Sequence, residues 1–159
     1  MAGDVIDALR ENLRANADAR ALEFGGRWIT WGDVARYGDA VVAALDASGA
    51  PRDAKVGIII RNRMAHAAAV IGLLAHRRSI SFVYPFLPAG VIADNIDSLG
   101  AGAILADAED WPNFAGAAGA AGCAGLSLGG IDDAPAPVPG LERCTRTSFD
   151  GSLKDGGIE

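Results

Sequence analysis

Between residues 55 and 107 the chain alternates three short segments of β-strand character with two of helical character, and nothing else in it restricts the fold as much. Residues 55–60, Lys-Val-Gly-Ile-Ile-Ile, are almost continuously apolar rather than alternating. That is the pattern of a strand covered on both faces, as strands are in a parallel sheet. Residues 80–84 and 103–106 read as further strands. Residues 64–76 form an Ala-rich helical segment, and Val91, Ile92, Asn95, Ile96 and Leu99 keep a helical period. Leu87-Pro88 opens this second helix with proline near its first turn, where the missing N–H costs nothing, and Gly100 or Gly102 closes it. Strand, helix, strand, helix, strand makes two successive crossover units whose helices must pack on the sheet.

The elements upstream are equally legible. Val5, Ile6, Leu9 and Leu13 give residues 4–17 an amphipathic period, with Asp4 and Asp7 at the end where the helix dipole favours negative charge. Residues 21–24 and 27–30 are strand-like and joined by Gly25-Gly26, which supplies the positive φ angles of a two-residue hairpin turn. Thr30 followed three residues later by Asp33 is a helix-capping pattern. The helix it predicts, residues 31–48, buries Val34, Tyr37, Val41 and Leu45 and ends at Gly49. The fold class is therefore α/β: a three-layer parallel-sheet unit with flanking helices and a small antiparallel hairpin. Residues 1–20 form an N-terminal helix and residues 21–110 the α/β core.

Residues 111–159 carry a weaker signal. Gly116, Gly119, Gly122 and Gly125 recur every third residue among alanines, a pattern costly in a helix, and an irregular Gly/Ala/Pro-rich segment is expected, with a close-packing glycine face as the alternative. Leu126 and Leu128 suggest one short strand there, and Ile158 suggests the start of another.

A formal charge of −6 with scattered arginines argues against a nucleic-acid partner, which would need clustered basic residues. The longest apolar stretch, residues 67–75, is far below the roughly 20 residues of a membrane span. The acidic N-terminus lacks a signal-peptide pattern, so a cytoplasmic location is expected. Cys123 and Cys144 follow no metal-ligand spacing and are expected as free thiols.

No catalytic motif emerges from the residues. Gly100-Ala101-Gly102 leaves a helix and enters a strand, the reverse of a dinucleotide-binding turn, and no Walker loop occurs. His66 and His76 lie ten residues apart on one helix, about 80° from a shared face, and are expected to be solvated or locally bonded. Ser127 and Ser148 lack a nucleophile elbow. Asp107, Glu109 and Asp110 read as a solvated loop. Ligands in open parallel sheets bind beyond the carboxyl ends of the strands, which singles out Arg61-Asn62, Tyr84-Pro85-Phe86 and Asp107. Arg61 suits a phosphate or carboxylate, or else a surface salt bridge, and Tyr84 or Phe86 offers a face to a flat ring.

The order of these pieces, carried by Thr30-Trp31, residues 56–60, Asn62, Tyr84-Pro85 and Leu87-Pro88, resembles the N-terminal segment of the AMP-forming acyl and aryl acid ligases, the adenylate-forming superfamily. The resemblance implies an incomplete N-terminal part of that fold. It also implies ATP, Mg²⁺ and coenzyme A as cofactors of the complete enzyme, with none bound by this chain alone. The implied partners are a carboxylic acid substrate and the remaining C-terminal polypeptide, and a second copy of the chain is a further candidate. The final Gly156-Gly157-Ile158-Glu159 is similar to the approach to the family's phosphate loop, so residues 111–159 would lead toward a phosphate-binding loop missing from this chain, and neither Lys55 nor Lys154 takes a catalytic role. By position, Tyr84, Pro85 and Phe86 correspond to the loop that borders the adenine end of coenzyme A, although Tyr84-Pro85 replaces more typical small residues. An interrupted sheet would leave an open edge at its last strand, predicting association or poor solubility for the isolated chain. The alternative is a free-standing, non-catalytic α/β interaction or ligand-binding module.

Overall fold

The computed structural model describes residues 4–147 and 149. Helix α1 (Val5–Ala15) precedes an antiparallel hairpin of β1 (Arg20–Phe24) and β2 (Arg27–Thr30), turned by Gly25 and Gly26 at positive φ. Helix α2 (Trp31–Ala47) starts from a reciprocal cap. Thr30 Oγ1 accepts from the Asp33 N–H at 3.2 Å, and the Asp33 carboxylate accepts from the Thr30 N–H at 2.9 Å.

Five strands then form the main sheet: β3 (Val56–Ile59), β4 (Ile80–Val83), β5 (Ala103–Ala106), β6 (Ala124–Ser127) and β7 (Ala136–Pro137). Their spatial order is β4-β3-β5-β6-β7, with only β7 antiparallel. Helices α3 (Met64–Ala75), α4 (Ala89–Ser98) and α5 (Trp111–Ala120) make the crossovers.

Alternation along each strand divides the core into two layers. Val56, Ile58 and Leu105 face a cluster with Tyr37, Val41, Leu45 and Leu73 of α2 and α3. Ile59, Ile104 and Ala106 face Ile92, Ile96, Trp111 and Phe114 of α4 and α5. Every residue of β3 and β5 is buried, which is why those runs are continuously apolar. Helices α2 and α3 meet at Gly38 and Gly72, where a Cβ on Gly38 would stand 2.6 Å from the Gly72 Cα. Backbone contact is what those two residues permit.

Pro88 stands next to the first turn of α4, as expected, and caps it with φ −54° and ψ 143°, the helix starting at Ala89. The structure corrects two expectations. Residues 111–147 are not an irregular segment: α5 and β6 occupy the predicted low-complexity stretch. Gly125 is required there, because a Cβ would lie 2.8 Å from the Trp111 ring and 3.0 Å from Leu141. Small residues serve close packing at this point rather than disorder.

The second correction concerns the sheet edge. The last strand among the described residues, β7, is a two-residue cap carrying Pro137, a residue that cannot extend a ladder on its N–H side. Among the described residues the open edge is β4, which pairs there with β3 alone and whose Phe82 is exposed. Ser148, Lys154, Ile158 and the approach at residues 156–159 lie outside the described residues. Among the described residues no helix is long and apolar enough to cross a membrane.

Candidate functional site

Strand β3 pairs with β4 on one side and β5 on the other, so the chain reverses its direction of travel across the sheet between them. Such a switch point opens a crevice at the carboxyl ends of the two central strands. Here those ends are Arg61-Asn62-Arg63, after β3, and Asp107-Ala108-Glu109-Asp110, after β5. Arginines on one rim face acids on the other.

The Arg61 guanidinium donates to Asp110 through two bonds, Nε to Oδ2 at 2.7 Å and Nη2 to Oδ1 at 2.6 Å. Hydrogen bonding to that carboxylate pushes the Arg61 pKa above its ordinary value. Arg63 forks between Asp107 and Glu109. His66, completely buried, accepts the Arg61 N–H at Nδ1 (3.0 Å) and places Nε2 2.9 Å from Asp107 Oδ1. Asp107 and Asp110 are each 4 % exposed whereas Glu109 stays in solvent, so of the acidic loop expected to be solvated the two aspartates instead form a dry charge network with Arg61 and His66. The physical reason is the partnering: a carboxylate buried beside a guanidinium and further hydrogen-bond donors does not need water.

Of the residues singled out by sequence, Arg61, Tyr84, Pro85, Phe86 and Asp107 all lie on the carboxyl side of the sheet, and Arg61 and Phe86 meet. The Arg61 guanidinium stands 5.7 Å from the centroid of the Phe86 ring, a cation–π distance. Phe86 is nevertheless 85 % exposed and Tyr84 is exposed too, while Pro85 is half-buried. Asn62 is exposed on the bend between Arg61 and Arg63. A cleft of about 510 Å³ opens beside the network, lined by Phe24, Arg63, Met64, Asp107, Glu109 and Gly130 among others.

His76 stays apart from His66, bonded to exposed Asp39 at 2.9 Å. Cys123 and Cys144 are free, as expected. Arg63, His66 and Asp110 went unrecognised as one constellation in the sequence. The available signal was the charge pairing of Arg-Asn-Arg after one buried strand with Asp-Ala-Glu-Asp after another.

The carboxylates of Asp107, Glu109 and Asp110 converge to within 4.8 Å of one another, which invites a divalent cation. Each is already bonded to Arg61 or Arg63, so the donor set is neutralised and does not fit Mg²⁺. No phosphate cradle for ATP is formed among the described residues. Phe86, by contrast, presents an open aromatic face.

The sequence model of the family "AMP-binding enzyme" matches residues 9–137. The chain belongs to that family. Among solved structures it is similar to a benzoate CoA ligase from Burkholderia xenovorans (TM-score 0.69, 18% identity, 92% of this chain and 31% of that one). It is also similar to ATP-bound MatB from Rhodopseudomonas palustris (TM-score 0.65, 18% identity, 80% of this chain and 26% of that one). A luciferase-like enzyme from the nonluminescent mealworm Zophobas morio matches as well (TM-score 0.69, 16% identity, 80% of this chain and 32% of that one). These likenesses show the fold, part of the adenylate-forming architecture, and the chain spans about a third or less of each of these three relatives.

Proposed function

We propose that this chain is the N-terminal portion of an ATP-dependent carboxylic acid–coenzyme A ligase of the cytoplasm, which forms an acyl-adenylate and then a thioester. Within it, residues 4–147 provide scaffold, and Tyr84, Pro85 and Phe86 provide the rim that receives the adenine end of coenzyme A. The observation that carries this reading is Phe86, exposed on one face and steadied by Arg61 on the other, at the carboxyl end of β4 beside the switch point. Aromatic faces bind flat bases by offset stacking, and the paired guanidinium behind the ring holds that face in place.

Nothing in the dry network supplies a nucleophile or a proton to a reacting carboxylate. ATP and Mg²⁺ belong to polypeptide beyond this chain, as does the acid pocket. Thioester formation is therefore expected only when the remainder of the family's fold is supplied, assayed as acid-dependent pyrophosphate release followed by coenzyme A acylation. Turnover by residues 1–159 alone would overturn this division of labour.

A second reading, the free-standing ligand-binding module, draws on β7, which closes the β6 edge with a proline. A cooperative melt and a monomeric mass for the isolated chain would favour it, and concentration-dependent association through the open β4 edge would oppose it.

A further inference from the structure

Two hydrogen bonds fix both nitrogens of the buried His66 ring. Because Nδ1 accepts the Arg61 N–H, it carries no proton, and the ring proton resides on Nε2, where it is donated to Asp107. One neutral side chain thus accepts from the loop after β3 and donates to the loop after β5. A phenyl ring of similar size can do neither.

Arg61 is consequently held twice, by its backbone through His66 and by its head group through Asp110. What this double hold delivers lies outside the network: a guanidinium at a set position against Phe86. Phe86 belongs to the β4–α4 connection and is 85 % exposed, so no core packing fixes its ring. Ordering a side chain on binding costs free energy, and a ring already leaning on a fixed guanidinium avoids part of that cost.

We propose that His66 is a positioning residue for the Phe86 face: through Arg61 it presets the ring on which a flat heteroaromatic base, the adenine of coenzyme A, stacks. The inference rests on the coenzyme A reading given above. His66 itself touches no ligand.

The test is titration of coenzyme A into the full chain, followed by NMR of ¹³C-labelled phenylalanine rings, for the parent and for Phe86→Ala, His66→Phe and His66→Asn. Asparagine keeps an acceptor near the place of Nδ1. His66→Phe is expected to raise the dissociation constant about tenfold, His66→Asn to keep it within about threefold of the parent, and Phe86→Ala to abolish the shift. Parent affinity in a folded His66→Phe chain, with Phe86→Ala still defective, would overturn the positioning role and leave the rim reading standing. Should His66→Phe fail to fold, His66→Gln replaces it, since its longer side chain carries the amide to the place of Nε2, where it can donate to Asp107, and leaves the place of Nδ1 beside the Arg61 N–H without an acceptor; parent affinity there overturns the role in the same way. Unchanged binding in Phe86→Ala, or no binding by the parent, would remove the rim reading and this inference with it.

Discussion

The two ends of the same sheet treat a buried charge in opposite ways. At the carboxyl end, Arg61 meets Asp110 through two short bonds, and the neighbouring Arg63, His66 and Asp107 are bonded in turn. At the amino end, just ahead of β4, Arg78 is buried more deeply, with its side chain 1% exposed, yet none of its three guanidinium nitrogens has a hydrogen-bond partner among the described residues. Its nearest carboxylate, on Asp46, stands off at 3.9 Å and is largely in solvent. Burial accordingly pushes the Arg78 pKa down, whereas the Asp110 carboxylate pushes that of Arg61 up. Cys123, at the foot of β6, follows the amino-end pattern: burial first of all raises its thiol to about 11. The lesson is that desolvation operates at both ends, and complementary charge answers it only at the crevice.

The contrast can be broken most forcefully at Asp110. Asp110→Ala leaves the Arg61 head group without its bidentate partner; buried pairs broken this way cost about 3–5 kcal/mol, and the quarter exposure of Arg61 moves the expectation to about 3 kcal/mol, read by urea unfolding. An undiminished midpoint would mean the network contributes nothing to stability.

Alkaline titration probes the other end. The folded thiol of Cys123 binds its proton more tightly than the usual 9.0 allows, so its contribution is complete below that pH and fades as pH climbs from about 9 to about 11. The loss should reach about 2–3 kcal/mol and be absent in Cys123→Ala, compared across the same pH range. Tyr37, raised for the same reason and donating its hydroxyl to the Leu128 carbonyl, adds to this alkaline lability in both proteins.

Arg78→Met should do the reverse of Asp110→Ala. Replacing an unpartnered buried guanidinium by an apolar chain of similar length is expected to stabilise by about 1–2 kcal/mol in thermal and urea unfolding. Destabilisation would show that Arg78 has a partner outside the described residues. The smallest effect belongs to Glu109→Gln: its carboxylate is 55% exposed, and an exposed pair with Arg63 contributes under about 1 kcal/mol, a difference that 1 M salt should erase in the parent.

How far the sequence displays this arrangement varies with the range of the interaction concerned. The hairpin, the Thr30–Asp33 cap and the buried run of β3 are written in neighbouring residues, and the structure reproduces them to within a residue or two. Placement of Arg61, Phe86 and Asp107 at strand ends was legible because parallel strands bring all their carboxyl ends to one side. The dry network was not, since His66 and Asp107 are 41 residues apart and meet only when β5 takes its place beside β3. The glycines of residues 111–125 misled for a related reason: their low helix propensity is local, whereas the Leu141 and Trp111 contacts that require Gly125 come from distant turns of the chain.

The unequal borders of the sheet give it a direction of growth. With proline closing one flank, a newcomer strand, whatever its origin, has to zip alongside residues 80–83, and its far end would then arrive next to Tyr84 and Phe86. Whatever seals that seam would finish within reach of the aromatic doorway.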